Sequence, residues 1–342
     1  MEWRMKKILV VNVNWVGDTV FATPVFKAIK TRWPGAFLSC MAVPRVKAVL
    51  ECCPYLDEVI IYDERGRHRG LWGKISIVLA LRGRHFDAAF LLHRSWTRAA
   101  LVFLAGIKER VGYDVKNRGR FLTHKVPECP ALPHRSDYYL YVVEHYGIPV
   151  LDRTCELRVD PEAQRQVADL LGRHQISGKD RVLIVHVGAN WDLKKWPVSH
   201  FVELMNRLSR ECPARIVIPG GEKDVQAACE ISRRSEGAPV VLAGETNLKQ
   251  LVALMKRASL VISADSGPMH IASSVGTPGV AIFGPTRPEL TGPRGLGKFS
   301  VLQKDVGCNR KPCYFLECPD NVCMQAVSVD DVMAAVRALF PG

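Results

Sequence analysis

The chain has 342 residues, 48% hydrophobic and 24% charged, with a formal net charge of +13. That length carries apolar material for about two cores, and no apolar run reaches the roughly 18 residues of a bilayer-spanning helix. Residues 1–160 hold 25 Lys and Arg against 16 Asp and Glu, an excess of nine, and the remainder holds 22 against 18, an excess of four. The basic residues cluster at Arg65, Arg67, Arg69 and Lys74, and again at Lys108, Arg110, Lys116, Arg118, Arg120 and Lys125. A one-sided basic surface draws polyanions. These residues lie in loops without interleaved aromatic pairs and match no nucleic-acid motif, so nucleic acid is not expected as a partner. Eleven cysteines, an odd number, with no secretion signal fit a reducing, cytoplasmic setting.

In chain order, residues 7–13 read as a buried strand, ahead of which residues 1–4 look like an extension before Met5. Val16-Gly17-Asp18-Thr19 turns that strand into a helix running to about Trp33, stopped by Pro34-Gly35. Strands follow at 37–42, 58–62 and 86–92, and helices at 44–50, 71–81 and 95–104. Residues 110–113 are short and strand-like, a basic loop runs to Lys125, and a helix at 135–146 closes this half.

After a polar crossover at 149–161 the pattern restarts. A helix spans 162–174, and a strand at 181–187 ends in Gly188-Ala189-Asn190. A helix at 198–211 precedes a strand at 215–219, which ends in Gly220-Gly221-Glu222-Lys223-Asp224. Residues 260–286 form a strand, a polar turn, a helix and a second strand, with Pro268 where a first helical turn tolerates proline. Strands alternating with helices predict parallel sheets covered on both faces. The expected organisation is α/β, with two doubly wound Rossmann-like domains at 1–160 and 161–328 facing a central cleft. A final helix at 329–342 is expected to pack back toward the first domain.

Asp265, Ser266 and Gly267 fall at a helix N-terminus with His270 in its first turn, where unpaired N–H groups and the dipole favour an anion. The same residues also suit a plain helix cap, and both readings stand at this point. Asp18, at the start of the first helix, is either a cap or a carboxylate able to take a proton from a bound hydroxyl. Lys194 and Lys195 precede Trp196-Pro197, and a lysine there either neutralises a phosphate or is simply solvated. Glu222 and Asp224 follow a strand end where a ribose hydroxyl is commonly held. No phosphate-binding lysine loop, dinucleotide fingerprint or zinc-protease motif is present, nor a serine nucleophile elbow. Cys308, Cys313, Cys318 and Cys323 are evenly spaced by five, a spacing that suits a packed loop better than a zinc ribbon.

Together these stretches resemble the lipopolysaccharide heptosyltransferases of glycosyltransferase family 9. The start of the chain with Val16-Gly17-Asp18, the K-x-W-P element at Lys194–Pro197, the D-[ST]-G-x-x-H element at Asp265–His270 and the G-P-T element at Gly284–Thr286 occur in the family's order. The cysteine-rich segment is similar to the heptosyltransferase II type. The resemblance implies a GT-B fold and inverting transfer of heptose from ADP-heptose to the anionic lipopolysaccharide inner core (Kdo and heptose on lipid A). It implies that no metal or cofactor is required. It implies Asp18 as general base, and Lys194 as the group stabilising the leaving diphosphate. The donor would lie against Asp265, Ser266, Gly267 and His270, and its nucleoside near Glu222, Asp224, Thr246 and Asn247. Gly17 and the loop Gly188, Ala189 and Asn190 complete the expected site, although some relatives carry paired threonines in that loop. A cytoplasmic enzyme, peripheral on the cytoplasmic face of the inner membrane, is the expected setting. Another nucleotide sugar or another glycolipid acceptor is the alternative.

Overall fold

The computed structural model describes residues 5–129, 134–310, 312, 313, 315 and 317–341, so the extension at residues 1–4 lies outside the described residues. The chain forms two compact units, Met1–Glu156 and Leu157–Gly342.

The first unit holds six parallel strands: β1 (Lys7–Val11), β2 (Phe37–Ala42), β3 (Glu58–Ile61), β4 (Ala88–Leu91), β5 (Glu109–Tyr113) and β6 (His124–Val126). Their order is β3-β2-β1-β4-β5-β6. The second unit repeats the plan with β7 (Val182–His186), β8 (Arg215–Gly220), β9 (Val240–Ala243), β10 (Leu260–Ala264), β11 (Gly279–Phe283) and β12 (Phe299–Gln303). These lie in the order β12-β11-β10-β7-β8-β9, which is the same arrangement counted from the opposite edge. In each sheet the connections reverse direction between the unit's first and fourth strands. Their carboxyl ends open a crevice there, the usual ligand position of doubly wound sheets.

The central strands β1, β4, β7, β10 and β11 are covered on both faces, which is why they appear in sequence as mostly apolar runs. The edge strands β6 and β12 are half exposed and carry no such run, so neither is foreseen from sequence. The first predicted helix is in fact two, Val16–Phe21 and Thr23–Arg32. Pro24 has no N–H to give the Val20 carbonyl, and the Thr23 hydroxyl donates to that oxygen instead at 2.8 Å.

The helix Val329–Leu339 corrects a second expectation. Val332, Met333 and Val336 are buried with Leu204, Met205 and Leu208 of the helix Val198–Glu211, so its apolar face belongs to the core of the second unit. Arg118 corrects a third. It is fully buried rather than part of a basic surface, and its guanidinium donates to the carbonyl oxygens of Tyr113 and His93. Burial lowers its pKa to about 10.

Candidate active site

Asp265 follows β10 directly, and its N–H donates to the Ile282 carbonyl at 3.1 Å. The side chain is only 4% exposed. Its Oδ2 accepts from Lys194 Nζ at 2.6 Å, Thr286 Oγ1 at 2.7 Å and Thr291 Oγ1 at 3.3 Å, while Oδ1 lies 3.6 Å from His270 Nε2. Three separate sequence elements therefore meet on one carboxylate. Burial alone would push that carboxyl up, but His270 beside it and the Lys194 charge outweigh burial and hold it well below its ordinary value. The charge of the buried carboxylate is thus compensated locally, and Lys194 gives it one of the three N–H bonds of its ammonium group.

Neither cap reading survives. Ser266 occupies the N-cap place of the helix Gly267–Ser274 without capping it; its hydroxyl bonds instead with Ser263 Oγ at 2.9 Å. Asp265 is held by the cluster just described. No described side chain caps this helix, so its leading N–H groups point from an uncapped terminus.

Lys194 ends a short turn, Asp192–Lys194, and the turn is pinned two residues later. The Trp196 ring is buried, packs edge-on against Phe201, and donates its indole N–H to the Val327 carbonyl at 2.9 Å. That fixes the position from which the lysine reaches Asp265.

Gly188, Ala189 and Asn190 form the loop after β7. Lys223 Nζ donates to Asn190 Oδ1 at 2.7 Å and to the Ala189 carbonyl at 3.3 Å. Asp224 is buried and accepts from the Gly221 N–H at 2.9 Å; a Cβ on Gly188 would lie 2.4 Å from its Oδ1. Asp224 therefore shapes the two turns, while Glu222 is exposed. His186, at the end of β7, is buried with Ser263 Oγ at 3.4 Å and Ser266 Oγ at 3.5 Å from its Nδ1. Burial, offset in part by Asp224, lowers its pKa to about 4, so it is neutral. Asn247 caps the helix Leu248–Arg257: its Oδ1 accepts from the Gln250 N–H at 3.0 Å, and Gln250 Oε1 accepts from the Asn247 N–H at 2.9 Å. Thr246 lies beside it, partly exposed.

In the first unit, Gly17 and Asp18 lie in the helix Val16–Phe21, whose N-cap is Trp15. Asp18 is thus not a cap. Its Oδ1 accepts from the Tyr139 hydroxyl at 2.9 Å and lies 3.7 Å from Arg135 Nε, both on the helix Arg135–His145. The side chain is 27% exposed, so the carboxylate is anchored at one oxygen and reachable. The loop between β1 and this helix is held from below. Buried Arg98 donates to the Asn12 carbonyl and to Asn14 Oδ1, each at 2.9 Å. His93, at the neighbouring end of β4, accepts from the Ser95 N–H at 3.0 Å. Its pKa is lowered to about 3 by burial and by Arg98 and Arg118.

Residues 75–316 match glycosyltransferase family 9 (heptosyltransferase). The chain belongs to this family. It is similar to lipopolysaccharide heptosyltransferase 2 of Escherichia coli, with 28% identity over 300 residues covering 84% of this chain and 85% of the relative. The solved ADP-heptose lipopolysaccharide heptosyltransferase II of the same organism shares 25% identity and a TM-score of 0.81, over 97% of this chain and 98% of that one. The family 9 glycosyltransferase of Veillonella parvula has the same fold: TM-score 0.87, 24% identity, and coverage of 99% and 98% of the two chains. The protein is a glycosyltransferase with the α/β architecture expected from its sequence.

Within this family 9 enzyme, Lys194, Asp265 and His270 come together as the motifs suggest. Thr286 belongs to a recognised element but was not assigned to the site, and Thr291, Lys223 and His186 carried no motif at all. Tyr139 and Arg135 were equally silent, because nothing in their helical pattern ties them to Asp18, whose bonded partner is 121 residues away.

Among the described residues no three His, Cys, Asp or Glu side chains are grouped as a metal ion would need. Of the four late cysteines, Cys308 is exposed and Cys313, Cys318 and Cys323 are partly so. No described helix is long and apolar enough to cross a membrane.

Proposed function

We propose that this glycosyltransferase moves heptose from ADP-heptose onto the inner core of lipopolysaccharide, with inversion, as a heptosyltransferase II-like enzyme. The observation that carries the proposal is the convergence of Lys194, Thr286 and His270 on Asp265 beside an uncapped helix N-terminus. Breaking the glycosyl–phosphate bond places negative charge on the departing diphosphate. Lys194 and the N–H groups opening the helix Gly267–Ser274 are preorganised to receive it. In this scheme they supply the positive charge, and no metal is assigned a step. Asp265 acts on Lys194 rather than on the phosphates. The Gly188–Asn190 loop and Ser266 contact the donor, and its nucleoside lies toward Glu222 and Thr246, with Asp224 and Asn247 shaping those turns.

Asp18 takes the proton of the acceptor hydroxyl as that oxygen attacks the anomeric carbon and the bond to the diphosphate breaks. Tyr139 and Arg135 hold the carboxylate in place for this. The acceptor is an anionic, lipid-anchored saccharide, and the enzyme works as a peripheral protein on the cytoplasmic side of the membrane that displays it. The names of the relatives support the donor and the acceptor class. Calorimetric titration with ADP-heptose, alongside a panel of other nucleotide sugars, tests the reading. Binding of ADP-heptose and ADP at micromolar concentration is expected; preference for a different donor, or no nucleotide binding, overturns it.

A further inference from the structure

The helix Gly70–Arg82 is apolar on two opposite sides. Ile77 and Leu81 face the core of the first unit, joined by the neighbouring helix Trp96–Leu104. Leu71, Ile75 and Leu79, spaced by four, share the opposite stripe with Trp72. Leu71 is 70% exposed, Trp72 82% and Leu79 60%. A surface helix ordinarily turns charge to that side, and a contiguous apolar stripe marks an interaction site.

The surroundings state what kind. Arg65, Arg67 and Arg69 lie in the turn before the helix, and Lys74 and Arg82 lie along it, all exposed. The turn is rigid: the Asp63 N–H donates to His68 Nδ1 at 3.0 Å, and the His68 N–H returns to the Asp63 carbonyl at 2.8 Å. It also lies tight against the helix, since a Cβ on Gly73 would meet the His68 backbone at 2.5 Å. The helix begins at Arg69 with no side-chain cap and no acid in its first turn. Basic residues there oppose the helix dipole, so the arrangement favours an incoming anion over the bare helix.

We propose that the helix Gly70–Arg82 and its basic turn form a docking face for an anionic phospholipid surface. Leu71, Trp72, Ile75 and Leu79 enter the headgroup–acyl boundary, and the arginines meet lipid phosphates. A second copy of the chain fits poorly, because a two-fold contact would set the same basic rim against itself. The inference deepens the function proposed above and rests on it for its purpose, since a lipid-anchored acceptor must be met at its bilayer.

The test is co-sedimentation of the full chain with vesicles of phosphatidylcholine containing about a third phosphatidylglycerol, and with phosphatidylcholine alone. Wild-type protein is expected to bind the anionic vesicles, and more weakly the neutral ones. Trp72→Ser with Leu79→Ser should weaken binding to both at least tenfold. Arg67→Glu with Lys74→Glu should remove the preference for the anionic vesicles. Both variants should keep wild-type thermal unfolding and ADP binding. Absence of vesicle binding, binding unaltered by either variant, or a wild-type dimer that the apolar variant dissociates would overturn the proposal. Nucleotide binding without vesicle binding rejects the docking face alone. Vesicle binding without nucleotide binding rejects the proposed donor instead.

Discussion

Replacing Lys194 by alanine removes a cation held 2.6 Å from a carboxylate that is 4% exposed. Thr286 and Thr291 still donate to Asp265, so hydrogen bonds remain while the lysine's charge is lost. Breaking a buried pair costs about 3–5 kcal/mol, and the 21% exposure of Lys194 places this case at about 3. The loss depends on pH in a defined direction. In the wild type the folded-state pKa of Asp265 is depressed, so its contribution is present above the ordinary carboxylate value and lost as the pH falls through the folded one. In the variant burial is no longer outweighed by the lysine, and the folded pKa rises. The difference between the two proteins should therefore be full at about pH 7, begin to shrink as the pH falls through the variant's raised value, and keep shrinking through and below the ordinary carboxylate range. Transfer should slow by about 10²–10³ in kcat, the scale for losing one preorganised charge-stabilising group. Pairing Lys194→Met with Asp265→Asn separates the two roles, because it removes both charges together. Stability should largely return while the rate stays low. Denaturant unfolding across this pH range and steady-state transfer kinetics make the measurements. A Lys194→Ala protein as stable as the wild type, or a deficit that does not shrink with acidification, would refute the reasoning.

Asp18→Ala should abolish transfer while leaving ADP affinity within about twofold, measured by titration, since Asp18 lies in the first unit and the residues proposed to hold the donor lie in the second; equal loss of both removes the base assignment. Tyr139→Phe deletes one hydrogen bond to that carboxylate and should cost about 1 kcal/mol in kcat/KM, measured by steady-state kinetics. Trp196→Phe keeps the packing but loses the bond to the Val327 carbonyl. It should destabilise by about 1–2 kcal/mol and raise KM for the donor more than it lowers kcat. Gly188→Ala drives a methyl group against Asp224 and should cost about 1–3 kcal/mol in unfolding assays, part of which Asp224→Ser should restore.

The central strands were legible because burial on both faces leaves mostly apolar residues in β1, β7, β10 and β11. The edge strands β6 and β12 were not, because polar residues such as Lys125 and Ser300 interrupt the run. Lys194 and Asp265 could each be singled out from their local patterns. Their bond to one another could not, since it spans 71 residues and depends on two turns meeting at the switch point of a sheet. Arg118 shows the opposite failure. A charge in a polar stretch reads as solvated, yet this one lies beneath the ends of β4 and β5, where two carbonyl groups need a donor. The helix Gly70–Arg82 was placed correctly while its outer stripe went unnoticed, because a count of apolar residues does not tell inside from outside.

The hydrogen bond from Trp196 to Val327 spans 131 residues of chain. During synthesis, then, the loop that carries Lys194 emerges long before the segment that locks it. The first unit can close its core while the second is still being made, as consecutive domains commonly do. The second cannot, because Leu204, Met205 and Leu208 wait for the helix Val329–Leu339. Lys194, proposed above to stabilise the leaving group, is therefore among the last features to be set, and a nascent chain should gain affinity for nucleotide only once that helix has left the ribosome.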